Sequence, residues 1–371
     1  MKTLSFTLSF CFLLLTRFAV SAQNVYTIAG RVTDENGNPL KSATVFISGS
    51  QRITACDDQG YFRFDHIDAG NYQLSVTMVG YFAYSQPVSV LGKLTNIDIK
   101  LKLKQTALRQ VNIGKDNFDA HFKIFREAFL GKTKNANDCI IVNPRVINFR
   151  TKKGLLLADA DEFLIIENPN LGYRIKYLLK NFGYNAKIDV TLYDGETSFE
   201  PMKGTAKMQR EWDKNRLKAY QGSFMHFLRS VYQNRALEEG FRINSINTIK
   251  KDRTGTADIE YKVPTVWFDS LVKPIDTSFV AFKFKKLLYR YFPRKARSAN
   301  DDTGNAEPVI KVRTVSPSMT IISLYANKAI IDKRGAHRDF RDFLIEGNLA
   351  RYRVGDQLPF EYQPPTKITA K

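Results

Sequence analysis

The strongest constraint on the fold lies between Tyr26 and Leu103, where turn-forming clusters recur at short intervals. Asp34-Glu35-Asn36-Gly37-Asn38-Pro39, Asp57-Asp58-Gln59-Gly60 and Asp68-Ala69-Gly70-Asn71 each combine a glycine suited to positive φ with Asx side chains that bond the local backbone. The stretches around them read as strands: Tyr26–Thr33, Ala43–Ser48, Tyr61–Phe64, Tyr72–Met78 and Asn96–Leu103. In Asn96-Ile97-Asp98-Ile99-Lys100-Leu101-Lys102-Leu103 the apolar side chains recur at every second position, so one face is buried and the other wet. Strands at this spacing predict an antiparallel sandwich.

The residues along these strands also carry a family pattern. GRVTDENGNPLKSATVFISGS followed by DDQGYFRFDHIDAGNYQLSVTMVGY resembles the carboxypeptidase regulatory-like domain, a transthyretin-like β-sandwich common in exported Bacteroidetes proteins. Gly30, Val32, Asp34, Gly37, Pro39, Leu40, Ala43 and Val45 fill its first motif. Gly60 and Phe62 fill the second, and Gly70, Tyr72, Leu74 and Val76 the third. Cys56 stands where the family usually has Thr. The resemblance covers about 80 residues, less than a quarter of the chain. It implies a folding or docking module without catalytic groups of its own. The residue chemistry agrees, since Gly, Pro and Asp make turns while Val, Leu and Tyr make a core.

Ahead of this module, Lys2 and the apolar run Leu4 to Leu15, ending in Val20-Ser21-Ala22, predict a secretory signal peptide cleaved before Gln23. The run is shorter than the roughly 20 residues of a spanning helix, and Arg17 interrupts its end. Cys11 follows Phe10 rather than a small residue, which argues against lipidation. The whole chain carries a formal charge of +19. Removing residues 1–22 takes away Lys2 and Arg17 and no acid, leaving +17. Such a charge suits nucleic acid in general, but export turns the expectation toward an envelope protein, an anionic glycan or a lipid surface. Cys56 and Cys139 remain, either paired in an oxidising compartment or buried as free thiols.

Beyond Lys104 the pattern changes. Asp119 to Gly131 reads as a helix with Phe122, Phe125, Phe129 and Leu130 on one face. Strands are predicted over 146–149, 155–158, 163–167, 172–179 and 186–193. One long helix is predicted over 207–239, with Tyr220, Phe224, Phe227, Leu228 and Val231 as a single apolar stripe. Strands return over 320–325, 329–331, 343–347 and 349–352, before Leu358-Pro359-Phe360-Glu361-Tyr362. FLIIENPNLGYRIKYLLKNF and AYQGSFMHFLRSVYQNRALEEGFRI resemble the body of uncharacterised Bacteroidetes envelope proteins with the same module. The expected fold is mainly β with an α+β part: signal peptide 1–22, seven-stranded transthyretin-like sandwich 23–104, linker 105–117 and a larger α+β body 118–371.

Familiar catalytic patterns do not occur. A zinc carboxypeptidase needs His-x-x-Glu and a distant His, which His66, His121, His226 and His337 all fail to supply. There is no His-Glu-x-x-His, Gly-x-Ser-x-Gly, Walker loop or Cys-x-x-Cys. No catalytic residue, cofactor or metal is therefore assigned. The residual enzyme candidates are His226 with Glu238 or Glu239, and the acidic run Asp159, Asp161 and Glu162; a packed histidine and a solvated loop are the simpler accounts.

One basic and aromatic stretch, residues 282–297, stands out. Lys283, Lys285, Lys286, Arg290, Arg294, Lys295 and Arg297 are interleaved with Phe and Tyr, which suits an anionic ligand or membrane interface. A strand or short helix with one packed aromatic face and one solvated basic face explains the same pattern. The expected role is a non-catalytic exported envelope protein that binds or scaffolds through its module. The alternative is a hydrolytic enzyme of undescribed type in the C-terminal body. A relative of TonB-dependent receptors fits poorly, since about 250 residues after the module cannot supply a plug and a large barrel.

Overall fold

The computed structural model describes residues 26–104, 117–251, 257–262, 270–292, 309–312, 319–337 and 342–365. The expected signal peptide and nearly all of the expected linker lie outside them. The N-terminal module has seven strands, β1 (Tyr26–Thr33), β2 (Thr44–Ile47), β3 (Ile53–Ala55), β4 (Tyr61–Ile67), β5 (Gly70–Thr77), β6 (Tyr84–Val90) and β7 (Leu94–Lys100). They form two sheets, ordered β4-β1-β7 and β3-β2-β5-β6. Alternate residues, among them Ile28, Val32, Val45, Ile47, Leu74, Val76, Val90 and Ile99, fill the core between the sheets. The turns close as their Asx residues predict. Asp34 Oδ1 accepts from the Asn36 and Asn38 N–H groups at 2.9 and 2.8 Å, and Asp57 Oδ1 accepts from Gln59 and Tyr61 at 3.0 and 2.8 Å. One pairing departs from the antiparallel expectation: β7 lies parallel to β1, with Thr27 opposite Leu94. Between them the chain has passed through the second sheet, which is the long crossover that a parallel neighbour needs.

The module is followed by an α+β body with two further cores. Helix α1 (Phe118–Leu130) buries Phe125, Phe129 and Leu130 as its periodicity predicts. It packs with α2 (Lys134–Asp138) against a six-stranded sheet of β8 (Ile140–Ile141), β9 (Ile147–Lys152), β10 (Leu155–Ala160), β11 (Leu164–Asn168), β12 (Tyr173–Asn185) and β13 (Val190–Pro201). The long β12 organises this sheet, pairing first with β11 and then with β10 along one edge and with β13 along the other. The strand expected over 186–193 starts only at Val190. Asn185 Oδ1 accepts the Lys187 N–H at 3.0 Å and bends residues 186–189 into the hairpin turn. The strand expected from 146 starts one residue later, after the 3₁₀ turn Pro144–Val146.

The long helix expected over 207–239 is two helices, α3 (Ala206–Tyr220) and α4 (Phe224–Tyr232). Gly222 breaks them with φ +73, and a Cβ there would stand 2.5 Å from the Tyr291 ring. Ser223 then caps α4, its Oγ accepting from the His226 N–H at 3.1 Å. The predicted stripe is divided accordingly: Tyr220 joins the core under α1, while Phe227, Leu228 and Val231 enter the C-terminal core.

That last core lies between α4 and strands β14 (Phe241–Lys251), β17 (Phe279–Phe282), β18 (Lys286–Tyr291), β20 (Thr320–Leu324), β21 (Ala329–Asp332) and β22 (Phe343–Gly347), and three further strands, β15 (Ala257–Lys262), β16 (Val272–Pro274) and β19 (Val309–Val312), extend the sheets. Their sheets run β19-β15-β14-β18-β20-β22 and β16-β17-β21. The strand expected over 349–352 is instead the 3₁₀ turn Asn348–Arg351, held where the Leu349 N–H donates to Thr320 Oγ1 at 3.0 Å. Cys56 and Cys139 are free and lie in different cores. Burial pushes the Cys56 thiol up to about 11 and the Cys139 thiol up to about 12.

Candidate functional site

The module is built into the body at two of its turns. In the β2–β3 turn, the Gly49 N–H donates to Thr197 O at 2.7 Å, and Ser50 O accepts from the Phe199 N–H at 2.9 Å. Both partners lie on β13, whose other edge is taken by β12. The C-terminal segment closes over this turn, the Phe360 N–H donating to Gly49 O at 2.8 Å. Beside it, the Phe46 ring meets Phe163 edge-on at 5.3 Å.

The β4–β5 turn is held by charge. The Asn71 N–H donates to Asp332 Oδ2 at 3.1 Å, and Asn71 O accepts from the Arg334 guanidinium. Asp332 has no exposure at all. Its carboxylate is met by Arg334 at 2.6 Å and by the Arg334 and Ala336 backbone N–H groups at 2.9 and 3.2 Å. A charge buried this deeply survives only with such complete pairing. Arg229, also buried, reaches the same place without a carboxylate. It donates to the Arg334, Phe360 and Tyr362 carbonyls at 2.9, 3.0 and 2.8 Å, tying α4 to the C-terminal segment.

Alongside these joints lies a cavity of about 600 Å³, within the range of about 300–1,000 Å³ that holds small molecules. One wall is the outer face of β5 and β6. Tyr72, Leu74 and Val76 point into the module core, which leaves Asn71, Gln73 and Ser75 facing outward. The wall is polar where Ser89 Oγ bonds Asn71 Oδ1 at 3.0 Å. A second wall is the β12–β13 hairpin. Its register slips between Leu179 and Asn181, so Lys180 is the extra residue of a β-bulge. The bulge aims Lys180 Nζ at Glu196 Oε1, 2.6 Å away, and Gln73 Nε2 reaches the same oxygen at 3.4 Å. Gly195 permits this approach, since a Cβ would stand 2.3 Å from Tyr177 Cε1 and 2.4 Å from Leu178 O. α4 and the C-terminal segment complete the lining with Phe224, Ile345, Leu349, Tyr352, Arg353 and Asp356. Exposed Ser89, Pro87 and Tyr352 place its mouth at the surface. Burial holds the Asp356 carboxyl above its ordinary range, against hydrogen bonds from Thr133 and Asn135 at 2.7 and 2.9 Å that lower it. The arrangement offers paired charges and hydrogen-bonding groups, which suit holding a ligand in a fixed orientation.

The residues singled out from sequence lie elsewhere. Lys283, Lys285 and Lys286 are exposed around the β17–β18 connection, and the neighbouring Phe282 and Phe284 pack toward the C-terminal core. Arg290 is half-buried on β18 and donates to Asn244 Oδ1 at 2.7 Å. Arg294, Lys295 and Arg297 lie outside the described residues. His226 Nδ1 accepts the Gly222 N–H at 3.0 Å, so the ring proton sits on Nε2, 2.8 Å from Glu239 Oε2. Tyr220, Phe241 and Tyr291 pack around the ring, and His226 does not line the cavity. Glu238 pairs with Arg235 at 3.1 Å. Asp159 and Asp161 pair with different cations, Arg150 and Lys104, and Glu162 is exposed. Among the described residues no group of three or more His, Cys, Asp or Glu is placed to hold a metal. Sequence reasoning missed Asn71, Gln73, Lys180, Glu196, Arg229, Asp332 and Arg334. A lone glycine in the strand at Gly195 was the one available signal of a bulge.

No curated protein matches the chain. Among solved structures, it is similar to a streptococcal ancillary pilin, with 13% identity over 22% of this chain and 33% of that one and a TM-score of 0.20. This chain thus spans about a third of that pilin. A cohesin–X-dockerin complex of Acetivibrio cellulolyticus is 20% identical over 30% of this chain and 79% of that one, at a TM-score of 0.21. A putative carbohydrate binding protein from Bacteroides uniformis is 8% identical over 78% and 98%, at 0.19. Likenesses this weak say nothing of what this chain does. The family comparison is firmer: residues 28–113 match the CarboxypepD_reg-like domain, so the N-terminal sandwich of this chain is a carboxypeptidase regulatory-like domain.

Proposed function

We propose that this protein is a non-catalytic, exported protein of the cell envelope that acts by binding, with the cavity at the joint as its ligand site. The observation that carries this reading is the double use of Asn71. Its backbone N–H and C=O are clamped by Asp332 and Arg334, while its side chain lines the cavity. The regulatory-like domain then serves as a fixed wall of the site. Pockets between folded units are common places for ligands, because the two walls can be shaped independently. The signal-peptide pattern over 1–22 supports export. Lys283, Lys285 and Lys286, followed in sequence by Arg294, Lys295 and Arg297, supply a second contact toward an anionic envelope surface, one that added salt should weaken.

The test has two arms. Fractionation of the producing cell should recover the chain outside the cytoplasm with Gln23 at its N-terminus; full-length protein retained in the cytoplasm would overturn export. Thermal shift of the mature chain against peptides, saccharides, nucleotides and lipids should find a stabilising compound that mass spectrometry recovers unchanged. Turnover of that compound, lost in a single acidic or histidine variant, would overturn the non-catalytic reading.

A further inference from the structure

The cavity wall narrows the chemistry of what it can hold. Asn71 is only 8% exposed, lines the cavity, and its Nδ2 has no partner among the described residues. Exchanging the amide oxygen and nitrogen does not cure this. Ser89 can donate or accept, but it satisfies only one end of the amide. An unmet polar atom in so buried a residue is rare in a folded protein and calls for a partner.

Two residues along β5, where Gln73 reaches the hairpin, opposite charges stand side by side. Lys180 Nζ and Glu196 Oε1 are 2.6 Å apart. An anion drawn to the ammonium meets the carboxylate, and a cation drawn to the carboxylate meets the ammonium. A wholly apolar ligand would dry out the pair and leave the amide unmet. Hydroxyl groups avoid all three conflicts, because one can accept from Lys180 while donating to Glu196 and another can accept from Asn71 Nδ2. Several hydroxyls on one rigid ring would use the row of Asn71, Ser89, Gln73, Lys180 and Glu196 together. The same cavity supplies Phe224 and Tyr352, aromatic faces against which the C–H side of such a ring can pack.

We infer that the joint cavity binds a neutral, hydroxyl-rich ligand, a mono- or short oligosaccharide, oriented by Asn71, Gln73 and the Lys180–Glu196 pair. This rests on the reading of the cavity as a ligand site. Ring hydroxyls meet the polar wall and the ring face meets the aromatic side chains.

The experiment is titration calorimetry of the mature full-length chain with a panel of neutral mono- and disaccharides, and separately with inorganic phosphate, ethanolamine and octanoate. Expected is saturable binding of at least one saccharide at a single site. Asn71→Ala, which keeps the backbone joint, should weaken it about tenfold, the equivalent of about 1.4 kcal/mol. Ser89→Trp should abolish it by filling the mouth. Gln73→Ala, which removes only one long hydrogen bond, provides the same readout if Asn71→Ala does not fold. Binding of phosphate, ethanolamine or octanoate, blocked by Ser89→Trp, with no saccharide bound would overturn this inference and leave the cavity a ligand site. Absence of any ligand sensitive to Ser89→Trp would overturn both readings.

Discussion

The Arg334 guanidinium lies 3.7 Å above the Tyr72 ring, joining a charge from the body to an aromatic residue of the N-terminal core. The same guanidinium holds Asp332 and bonds Asn71 O, so one side chain carries an ion pair, a backbone bond and a stacking contact across the joint. A desolvated cation–π contact of this kind is worth about 2 kcal/mol.

Arg334→Ala should therefore be among the most damaging substitutions. It leaves Asp332 as an uncompensated buried carboxylate, which costs about 3–5 kcal/mol. Urea unfolding of the purified chain measures this. A loss below about 1 kcal/mol, typical of an exposed pair, would show that the joint is not held by charge. Arg334→Ala with Asp332→Asn should recover part of the loss.

Gly222→Ala tests the break between α3 and α4. The substitution puts a Cβ into the Tyr291 ring at a left-handed position, and a cost of about 1–3 kcal/mol is expected. Helix content by circular dichroism should not rise. A stabilised variant with more helix would mean that the two helices fuse without penalty.

Asp356 predicts a pH dependence with a definite sign. Its folded pKa lies above the unfolded value because burial disfavours the charged form. The cost of the charge is present in full above the folded pKa, and it is relieved as pH falls through that value toward the unfolded one. Compared with Asp356→Asn, the native protein should gain stability between pH 7 and about pH 4. Denaturant midpoints of both proteins across that range give the answer, and a difference that moves the other way would contradict the assignment.

Both described thiols should be inert in the native state. Their pKa values, about 11 and about 12, leave almost no thiolate at pH 8. Ellman's reagent should therefore find no reactive thiol in the native mature chain, and two after denaturation. Cys11, in the proposed leader, does not contribute. A disulfide found by non-reducing peptide mapping would contradict the two separate cores.

Local pattern carried much of the fold. Period-two alternation and Asx-Gly turns placed β1, β2, β4, β5 and β7 because each strand core and each turn is decided within a few residues, whereas the three-residue β3 and the Pro87-containing β6 were not read as strands. The face of α1 was legible for the same reason, its Phe125 and Phe129 being one turn apart. The division between α3 and α4 was not, because an unbroken apolar stripe reads the same whether it faces one core or two. Lys283, Lys285 and Lys286 were recognisable as exposed basic residues, but the partner of Arg290 is Asn244, 46 residues away.

The candidate site belongs almost wholly to the second kind of information. The sequence by itself determined the module, its turns and the want of any familiar catalytic motif, since those rest on short spacings. Tertiary structure alone decided that Asn71 meets Asp332 and Arg334 across 261 and 263 residues, and that Gln73 meets Glu196 across 123. An isolated Asn, Gln, Lys or Glu has no periodicity and looks like any surface residue. Its role is set only when folding removes water and leaves it to find its partner in another element.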